Sequence, residues 1–186
     1  MKLSIIIPLF NEKNTIVKLL DKIERQTYIK KQIIIINDCS RDNSLELINS
    51  YNFLSENLIL SHDENLGKGA CIKTAKEHIN GDIVIIQDAD LEYDPEDYKK
   101  LLEPFIKNEA DVVYGSRFMG SSAHRLIYYS HRIANFFITN LVNIFTNINF
   151  TDVETGYKVF RRSILEKITL KENSFGIEIE LTMKVA

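Results

Sequence analysis

The stretch Ile83-Val84-Ile85-Ile86-Gln87-Asp88-Ala89-Asp90-Leu91-Glu92 places an aliphatic run directly before a cluster of acidic residues. Such a run is typical of a strand buried on both faces. Residues two apart in an extended chain point to the same side, so Asp88 and Asp90 can present two carboxylates to one divalent cation. We therefore predict a Mg²⁺ or Mn²⁺ site here, with open coordination positions that suit the oxygens of a diphosphate. The alternative, an acidic turn after a buried strand, is the usual meaning of an isolated Asp-x-Asp motif.

The composition is that of one globular domain, residues 1–186, because 45% hydrophobic and 26% charged side chains can build a substantial core. A net charge of −3 and a pI near 5.8 offer no basic face, and we expect no nucleic-acid partner. Cys39 and Cys71 have no metal-ligand spacing with the four histidines, which argues against a zinc site or a disulfide framework. A reducing, cytoplasmic location is the default for such a chain.

The two ends of the sequence predict neither a leader nor a membrane span. The first apolar run is shorter than a signal peptide and is followed by Pro8, Asn11 and Glu12, so it is better interpreted as a buried strand. No run reaches the roughly 18 apolar residues that a span needs. The last residues, 178–185, carry no helix stop signal, so we expect the domain to be truncated at its carboxyl end.

Apolar β-branched runs alternate with segments of helical periodicity. The runs predict strands at residues 3–7, 32–36, 57–60, 83–86 and 111–114, and the segments between them predict helices at residues 13–26, 41–51, 67–79 and 95–108. This alternation favours an α/β fold with a mostly parallel sheet and helices on both faces. Ligands of such sheets bind beyond the carboxyl ends of the strands, where the polar clusters of this sequence fall.

Six of these polar clusters occur in an order that resembles the family 2 glycosyltransferases. Within that family the sequence is most similar to the polyprenyl-phosphate sugar transferases related to dolichyl-phosphate mannose and glucose synthases. The segments that carry the resemblance are Pro8-Leu9-Phe10-Asn11-Glu12, Asn37-Asp38-Cys39-Ser40-Arg41-Asp42, Asn65-Leu66-Gly67-Lys68-Gly69-Ala70, Asp88-Ala89-Asp90-Leu91-Glu92, Gly115-Ser116-Arg117 and Asp152-Val153-Glu154-Thr155-Gly156-Tyr157-Lys158. Each segment alone is a weak signal, whereas six in series are a strong one.

The resemblance implies a Rossmann-like nucleotide-sugar transferase fold of the GT-A type and a set of site residues. It implies that the metal ligands are Asp88, Asp90 and Glu92 and that the catalytic residues are Asp90, Arg117 and Asp152. It implies that the nucleotide sugar is bound by Pro8, Phe10, Glu12, Asp38, Lys68, Asp88, Ala89, Asp90, Arg117 and Arg132. Asn37 and Cys39 depart from the family, which often has Asp and usually has Gly at these positions. Because Cys tolerates a positive φ poorly, we expect the loop on the base side to differ.

Several of these residues have an ordinary structural alternative. Glu12 can favour a helix N-terminus instead of accepting from a ribose or base, and Arg117 can be an exposed surface side chain instead of a phosphate ligand. The sequence Gly67-Lys68-Gly69 lacks the GxxxxGK[ST] spacing of a P-loop, so Lys68 is assigned to the donor side or to ordering its loop. Asp152 is assigned as a positioning residue or as a base, and Glu154 lies in the same segment.

Residues 126–150 predict a long amphipathic helix. Ile133, Phe137, Leu141, Ile144, Phe145 and Ile148 share one face, and Arg132, Asn135, Thr139, Asn143 and Asn147 share the other. We expect the apolar face to pack into the core, which is the usual meaning of such a pattern. The alternative is a helix that lies on a membrane surface.

These features predict an inverting, metal-dependent transfer of a hexose from a nucleoside diphosphate sugar, of the UDP-glucose or GDP-mannose class, to polyprenyl phosphate. The expected cofactor is Mg²⁺ or Mn²⁺, and the expected location is the cytoplasm at the cytoplasmic face of the membrane, with a peripheral membrane contact. One alternative is transfer to a saccharide or protein hydroxyl. Another is a non-catalytic protein that binds nucleotide sugars. A nucleotidyltransferase is a poorer choice because the glycine-rich amino-terminal loop of such enzymes is missing.

Overall fold

The structure is a computed structural model that describes residues 1–117 and 128–186. Within these ranges, six strands form one sheet in the order β3-β2-β1-β4-β6-β5. The strands are β1 Lys2–Leu9, β2 Lys30–Asn37, β3 Glu56–Ser61, β4 Ile83–Ile86, β5 Val112–Tyr114 and β6 Lys158–Arg161. The helices are α1 Ile16–Glu24, α2 Ser44–Asn49, α3 Lys68–Lys76, α4 Tyr98–Ile106, α5 Tyr129–Thr146, α6 Arg162–Lys167 and α7 Ile177–Val185, and a short 3-10 helix, Pro95–Asp97, precedes α4.

The sheet is mostly parallel, as the sequence predicts. Strand β1 pairs in parallel with β2 and β4, and β2 pairs in parallel with β3. The prediction missed β6, which runs antiparallel between β4 and β5. Because β6 is antiparallel to both neighbours, β4 and β5 point the same way. The carboxyl ends of β1, β2, β4 and β5 therefore meet at one edge of the sheet.

Helices cover both faces of the sheet. Consecutive isoleucines point to opposite faces, so Ile5 and Ile7 pack under α1, α2 and α4, whereas Ile6 packs under α3, α6 and α7. All three side chains have no exposed surface. This two-sided burial explains why β1, β2 and β4 are aliphatic throughout instead of alternating with polar residues.

Helix α5 corrects one expectation, because its apolar face points outward and its polar face packs inward. The side chains of Phe137 and Phe145 are 67% and 72% exposed, whereas Asn135 and Thr139 are buried. The buried face is held by hydrogen bonds, with the Val153 N–H donating to Thr139 Oγ1 over 3.3 Å. The prediction of a core-packed apolar face is therefore wrong for this chain. Residues 126 and 127 of the predicted helix lie outside the described residues.

A buried polar hub closes the amino-terminal edge of the sheet, opposite the site. Ser4 Oγ donates to Gln32 Oε1 over 2.5 Å and accepts from the Gly81 N–H over 2.9 Å. Gln32 Oε1 also accepts from the Asn80 N–H, and Gln32 Nε2 donates to the His78 carbonyl oxygen over 2.9 Å. One buried amide thus satisfies the backbone of the turn between α3 and β4.

Replacing Gln32 by Leu should destabilise the fold by about 1–3 kcal/mol, because it leaves buried donors and acceptors without partners. The measurement is the urea midpoint at constant m-value. Gln26→Leu is the control, since Gln26 is half-buried and its side chain bonds only within the α1 turn, to the Lys22 carbonyl oxygen. Equal midpoints for the two variants would show that the hub contributes nothing specific.

Candidate active site

A cavity of about 600 Å³ opens at the carboxyl edge of the sheet. Its volume lies in the range of small-molecule sites. The predicted site residues that line it are Pro8, Phe10, Glu12, Asp38, Lys68, Asp88, Ala89, Asp90, Glu92 and Arg117. The predicted residues Asp152 and Arg132 do not line it. The structure therefore gathers most of the sequence-predicted site around one cavity.

The acidic loop after β4 takes its shape from Gln87, which is fully buried. Its Oε1 accepts from the hydroxyls of Tyr98 and Tyr157 over 2.8 and 2.9 Å, and its Nε2 donates to the Asp88 carbonyl oxygen. Asp90 Oδ1 then accepts from the Glu92 N–H over 3.0 Å, which closes the turn. A buried amide thus aims the acidic residues into the cavity.

The three carboxylates predicted to bind metal are not, as a set, within 4.8 Å of one another. Among the described residues, the trio of potential ligands that does meet this distance is Asp38, His62 and Cys71, of which Asp38 and Cys71 line the cavity. These side chains are already hydrogen-bonded, with His62 Nδ1 2.7 Å from Asp38 Oδ1 and His62 Nε2 2.9 Å from Thr74 Oγ1. Burial raises the pKa of the Cys71 thiol to about 12, so its thiolate is disfavoured near neutral pH. An ion could enter this trio only by displacing those bonds.

Asp38 organises the loop before α3. Its Oδ1 accepts from the Leu66 N–H over 2.9 Å and its Oδ2 from the Gly67 N–H over 2.8 Å, in addition to the His62 contact. Burial would raise the pKa of Asp38, but these hydrogen bonds lower it below its ordinary value. Asp38 therefore lines the cavity, and both oxygens of its carboxylate already accept hydrogen bonds from the loop.

The residues around Asp38 explain the two departures from the family pattern. Cys39 adopts φ 59°, so the left-handed backbone that glycine favours is kept at a cost of about 1–2 kcal/mol. Whether the rest of this loop differs from that of the family stays a prediction. Asn37 Oδ1 accepts from the Ser40 N–H over 3.2 Å and so orders the same turn without a charge.

The glycines around Lys68 are needed for close packing of two backbone segments. Gly67 has φ 95°, and a Cβ added there would lie 2.5 Å from the Asn173 carbonyl oxygen. A Cβ on Gly69 would overlap the Glu172 carbonyl oxygen. The Ala70 N–H donates to the Asn173 carbonyl oxygen over 3.0 Å. The start of α3 is thus joined to the segment that leads into α7.

Lys68 lies between two carboxylates. Its Nζ is 2.6 Å from Asp88 Oδ1 and 2.6 Å from Glu178 Oε1, and its side chain is 11% exposed. Burial would lower the pKa of Lys68, but the two carboxylates raise it above its ordinary value. Lys68 is therefore a permanent cation on the wall of the cavity.

Arg117 is held in a two-pronged contact with Asp152. Arg117 Nε donates to Asp152 Oδ2 over 2.8 Å, Nη2 donates to Oδ1 over 2.9 Å, and the Arg117 N–H donates to Oδ2 over 3.1 Å. Asn135 Nδ2 on α5 adds a fourth bond, to Oδ1, over 3.1 Å. The Asp152 side chain has no exposed surface, so it lies behind Arg117 and does not line the cavity.

Glu154 is the carboxylate of this segment that does line the cavity. Burial, reinforced by the nearby charge of Glu178, raises its pKa above the ordinary value. The adjacent loop is pinned by Tyr93, whose hydroxyl oxygen accepts from the Gly156 N–H over 2.7 Å. A carboxyl group with a raised pKa beside a cavity suits proton transfer.

Arg132 lies apart from this cavity, exposed on the first turn of α5. It lines a second cavity of about 310 Å³, together with Asn135, Phe136 and Asn143. Asn143 closes that cavity by bonding both the N–H and the carbonyl oxygen of Phe150 over 2.9 Å. Arg132 therefore does not line the first cavity, and its assignment to the donor stays a prediction.

The geometry agrees with the outcome of a family comparison, in which residues 4–169 match the model described as Glycosyl transferase family 2. The chain belongs to this family. Within the described residues, none of the helices has both the length and the hydropathy needed to cross a bilayer.

Curated relatives include enzymes named for lipid-phosphate acceptors. The chain is 25% identical over 187 residues to a dolichol-phosphate mannosyltransferase of Pyrococcus furiosus, and the match covers 99% of this chain and 53% of that protein. It is 24% identical over 195 residues to glycosyltransferase GlyA of Streptococcus pneumoniae, of which 28% is covered. The chain thus spans about half or less of these proteins.

Solved structures show the same fold. The chain matches TarS 1–349 of S. aureus in complex with UDP at a TM-score of 0.70 and 21% identity, covering 98% of this chain and 54% of that one. It matches glucosyl-3-phosphoglycerate synthase of Mycobacterium tuberculosis, in complex with Mn²⁺, UDP-glucose and phosphoglyceric acid, at a TM-score of 0.71 and 20% identity, covering 96% and 62%. These similarities confirm the predicted GT-A fold.

Sequence reasoning missed the partners that hold the site residues in place. His62, Asn135 and Glu178 contact Asp38, Asp152 and Lys68 from 24, 17 and 110 residues away along the chain. No local spacing shows such pairs. One available signal was the polar face of α5, where Asn135 lies four residues from Thr139 on the side that proves to be buried.

Replacing Arg117 by Lys should lower stability by about 1.5–3 kcal/mol and impair transfer, because an ammonium cannot reproduce the two-pronged contact with a buried carboxylate. Urea midpoints and initial rates are the measurements. Arg162→Lys is the matched control, since Arg162 is exposed and pairs with Glu166 one turn away. If the Arg117 variant has the stability and rate of wild type, the two-pronged contact between Arg117 and Asp152 has no role.

Proposed function

We propose that residues 1–186 act as one catalytic domain that transfers a hexose, with inversion, from a nucleoside diphosphate sugar to polyprenyl phosphate. The observation that carries the proposal is the cavity itself, which is lined by the acidic loop after β4 and by two basic side chains, Lys68 and Arg117. Acidic groups suit a divalent cation, and basic groups suit phosphate oxygens. Both are needed to bind a diphosphate and to let it leave.

The donor is proposed to lie along the loops after β1, β2 and β4. Phe10 is 42% exposed at the cavity rim, which suits stacking on a base, and Glu12 is beside it. Solved relatives bind UDP, or UDP-glucose with Mn²⁺, by the descriptions of those structures. We assign a donor of the UDP-glucose or GDP-mannose class on this basis.

The metal assignment rests on donor chemistry. Asp88, Asp90 and Glu92 offer hard oxygen ligands at the cavity, as Mg²⁺ or Mn²⁺ prefers, and the Asp88 side chain is 26% exposed. When bound, the cation would neutralise charge on the leaving diphosphate. Because the three carboxylates are not gathered within 4.8 Å, phosphate oxygens of the donor are expected to complete the ligand set.

The side chains of this domain supply the fixed charges of the reaction. Arg117 is oriented by Asp152 before any substrate arrives, so its charge lies at the cavity without a cost of reorganisation. The acceptor oxygen would attack the anomeric carbon from the side opposite the diphosphate, which inverts the configuration. A phosphate monoester is largely ionised near neutral pH, with its second pKa about 6, so this acceptor requires no strong base.

A second candidate function is transfer to a saccharide hydroxyl, and Glu154 is the observation that favours it. A hydroxyl must lose a proton as it attacks, and a carboxyl group with a raised pKa at the cavity can take it. The two functions share the donor and the metal site and differ only in the acceptor.

Labelled UDP-glucose or GDP-mannose incubated with Mn²⁺ and a polyprenyl phosphate should give a product that partitions into organic solvent. Asp90→Asn should lower this transfer by at least about 10²-fold, because it removes a carboxylate ligand of the cation that would neutralise charge on the leaving diphosphate. Glu109→Gln, an exposed residue beyond α4, is the control. Label found only in water-soluble glycans would favour the saccharide alternative, and no label in either fraction would contradict both functions.

We also propose that α5 contacts the membrane surface on which a polyprenyl phosphate resides. Its outer face exposes Tyr129, Phe136, Phe137, Ile144 and Phe145, each by more than 60%. The helix contains no Asp or Glu, although the whole chain has a net charge of −3. On its inner face, Asn135 contacts Asp152, which in turn pairs with Arg117. The surface that would meet lipid is therefore separated from Arg117 by the width of this helix.

Replacing Phe137 and Phe145 together by Ser should weaken binding to vesicles of phosphatidylcholine and phosphatidylglycerol by about tenfold or more, since burying a phenyl ring contributes about 1.5–3 kcal/mol. Vesicle co-sedimentation is the measurement. Ile106→Ser, at a 64% exposed residue of α4, is the control. If the wild-type protein does not bind vesicles but forms dimers, and the double variant does not form them, the face is an interface between two copies of the chain.

A further inference from the structure

Glu178 joins two lysines that reach it from different parts of the site. Its Oε1 lies 2.6 Å from Lys68 Nζ, and its Oε2 contacts Lys158 Nζ. The residue is 4% exposed, so both contacts replace water. Burial would raise the pKa of Glu178, but the two lysines lower it below its ordinary value, which keeps this carboxylate ionised at neutral pH.

The Lys68 ammonium is shared between Glu178 and Asp88. Its distance to Asp88 Oδ1 is 2.6 Å, the same as its distance to Glu178 Oε1. An ammonium and a divalent cation compete for the same carboxylate oxygen, and the competition is strong where the side chains are largely removed from water. Any change that leaves Lys68 paired with Asp88 alone makes Asp88 Oδ1 less available to a cation.

Asp88 has little freedom to move away from Lys68. A Cβ added to Gly156 would overlap Asp88 Oδ2, so the backbone of the loop after Asp152 lies directly against the second oxygen. That loop is held in turn by Lys158, whose Nζ donates to the carbonyl oxygens of Val153 and Thr155. Glu178 is therefore linked to Asp88 in two ways. Lys68 contacts Asp88 Oδ1, and Lys158 holds the loop that lies against Asp88 Oδ2.

We propose that Glu178 is a positioning residue of the donor site. By pairing with Lys68, Glu178 weakens the ion pair between Lys68 and Asp88 and so keeps Asp88 available to a divalent cation. The inference rests on the proposed assignment of Asp88 to that cation. It deepens the proposed function by adding a residue from α7, which no strand-end motif contains. Glu178 itself is not required to touch the cation or the donor.

The test is direct binding of Mn²⁺, followed by the electron paramagnetic resonance signal of free Mn²⁺, with no donor or acceptor present. Glu178→Gln should weaken binding about tenfold, because Lys68 then pairs with Asp88 alone. Glu178→Asp keeps the charge but shortens the side chain by one methylene. It should weaken binding by about threefold or more, which a purely long-range effect of charge would not do.

The variant Lys68→Met distinguishes a positioning role of Glu178 from a general loss of structure. Without Lys68, Asp88 has no ammonium to share, so Lys68→Met should bind Mn²⁺ more tightly than wild type. In that background, Glu178→Asp should change the Mn²⁺ affinity much less than it does in wild type, because the route through Lys68 has been removed and the one through Lys158 remains. Glu180→Asp is the matched control, an acidic residue of the same helix that pairs with Lys184.

The outcomes distinguish the inference from the function on which it rests. Wild-type affinity in both Glu178 variants, or an equal loss with and without Lys68, would overturn the positioning role while leaving the metal site intact. No Mn²⁺ binding by wild type would overturn the metal assignment and this inference together. Binding as expected in every variant, with no transfer to any acceptor, would support the inference and contradict the proposed reaction.

Discussion

The parallel pairing of β1 with both β2 and β4 is the constraint on which the candidate site depends. The register sets Leu9 beside Asn37 and Ile6 beside Ile86. The ladder extends one residue beyond the strands, since the Asp38 N–H donates to the Leu9 carbonyl oxygen and the Gln87 N–H donates to the Ile6 carbonyl oxygen. A slip of one residue would turn every isoleucine to the wrong face, so burial of the core also determines where Asp38 and Asp88 leave the sheet.

The part of the fold that follows from local pattern was predictable from the sequence. The aliphatic run Ile83–Ile86 is a strand with the predicted bounds, and α1 to α4 lie within the predicted helices. Strand β6 could not be found in this way. Its residues Lys158–Arg161 begin and end with basic side chains, and Lys158 is buried only because Glu178 and two carbonyl oxygens accept from it. A strand stabilised by distant partners leaves no periodic signal.

The same limit applies to α5 and to the site. Periodicity shows that Phe137 and Phe145 share a face, but it does not show whether anything covers that face. The strand-end motifs predicted Asp88 and Arg117 as site residues, because six such motifs occur in series along the sequence. They did not identify Asn135 or Glu178, which orient these residues from helices far away in the sequence. Chemistry that lies on one loop can be predicted from the sequence, whereas the contacts that aim it depend on the tertiary fold.

The two carboxylates of the segment after α5 show how burial divides roles between similar side chains. Asp152 receives four hydrogen bonds and has no exposed surface, so it stabilises the charge and direction of Arg117 and does not line the cavity. Glu154 lies at the cavity with a pKa raised by burial, which brings it nearer to the range in which a carboxylate can accept a proton during catalysis. An ionised lipid phosphate has no use for such a group, but a hydroxyl acceptor does. In the proposed function the acceptor class is thus linked to the use of Glu154, while Arg117 and the acidic loop after β4 are assigned to both candidate reactions.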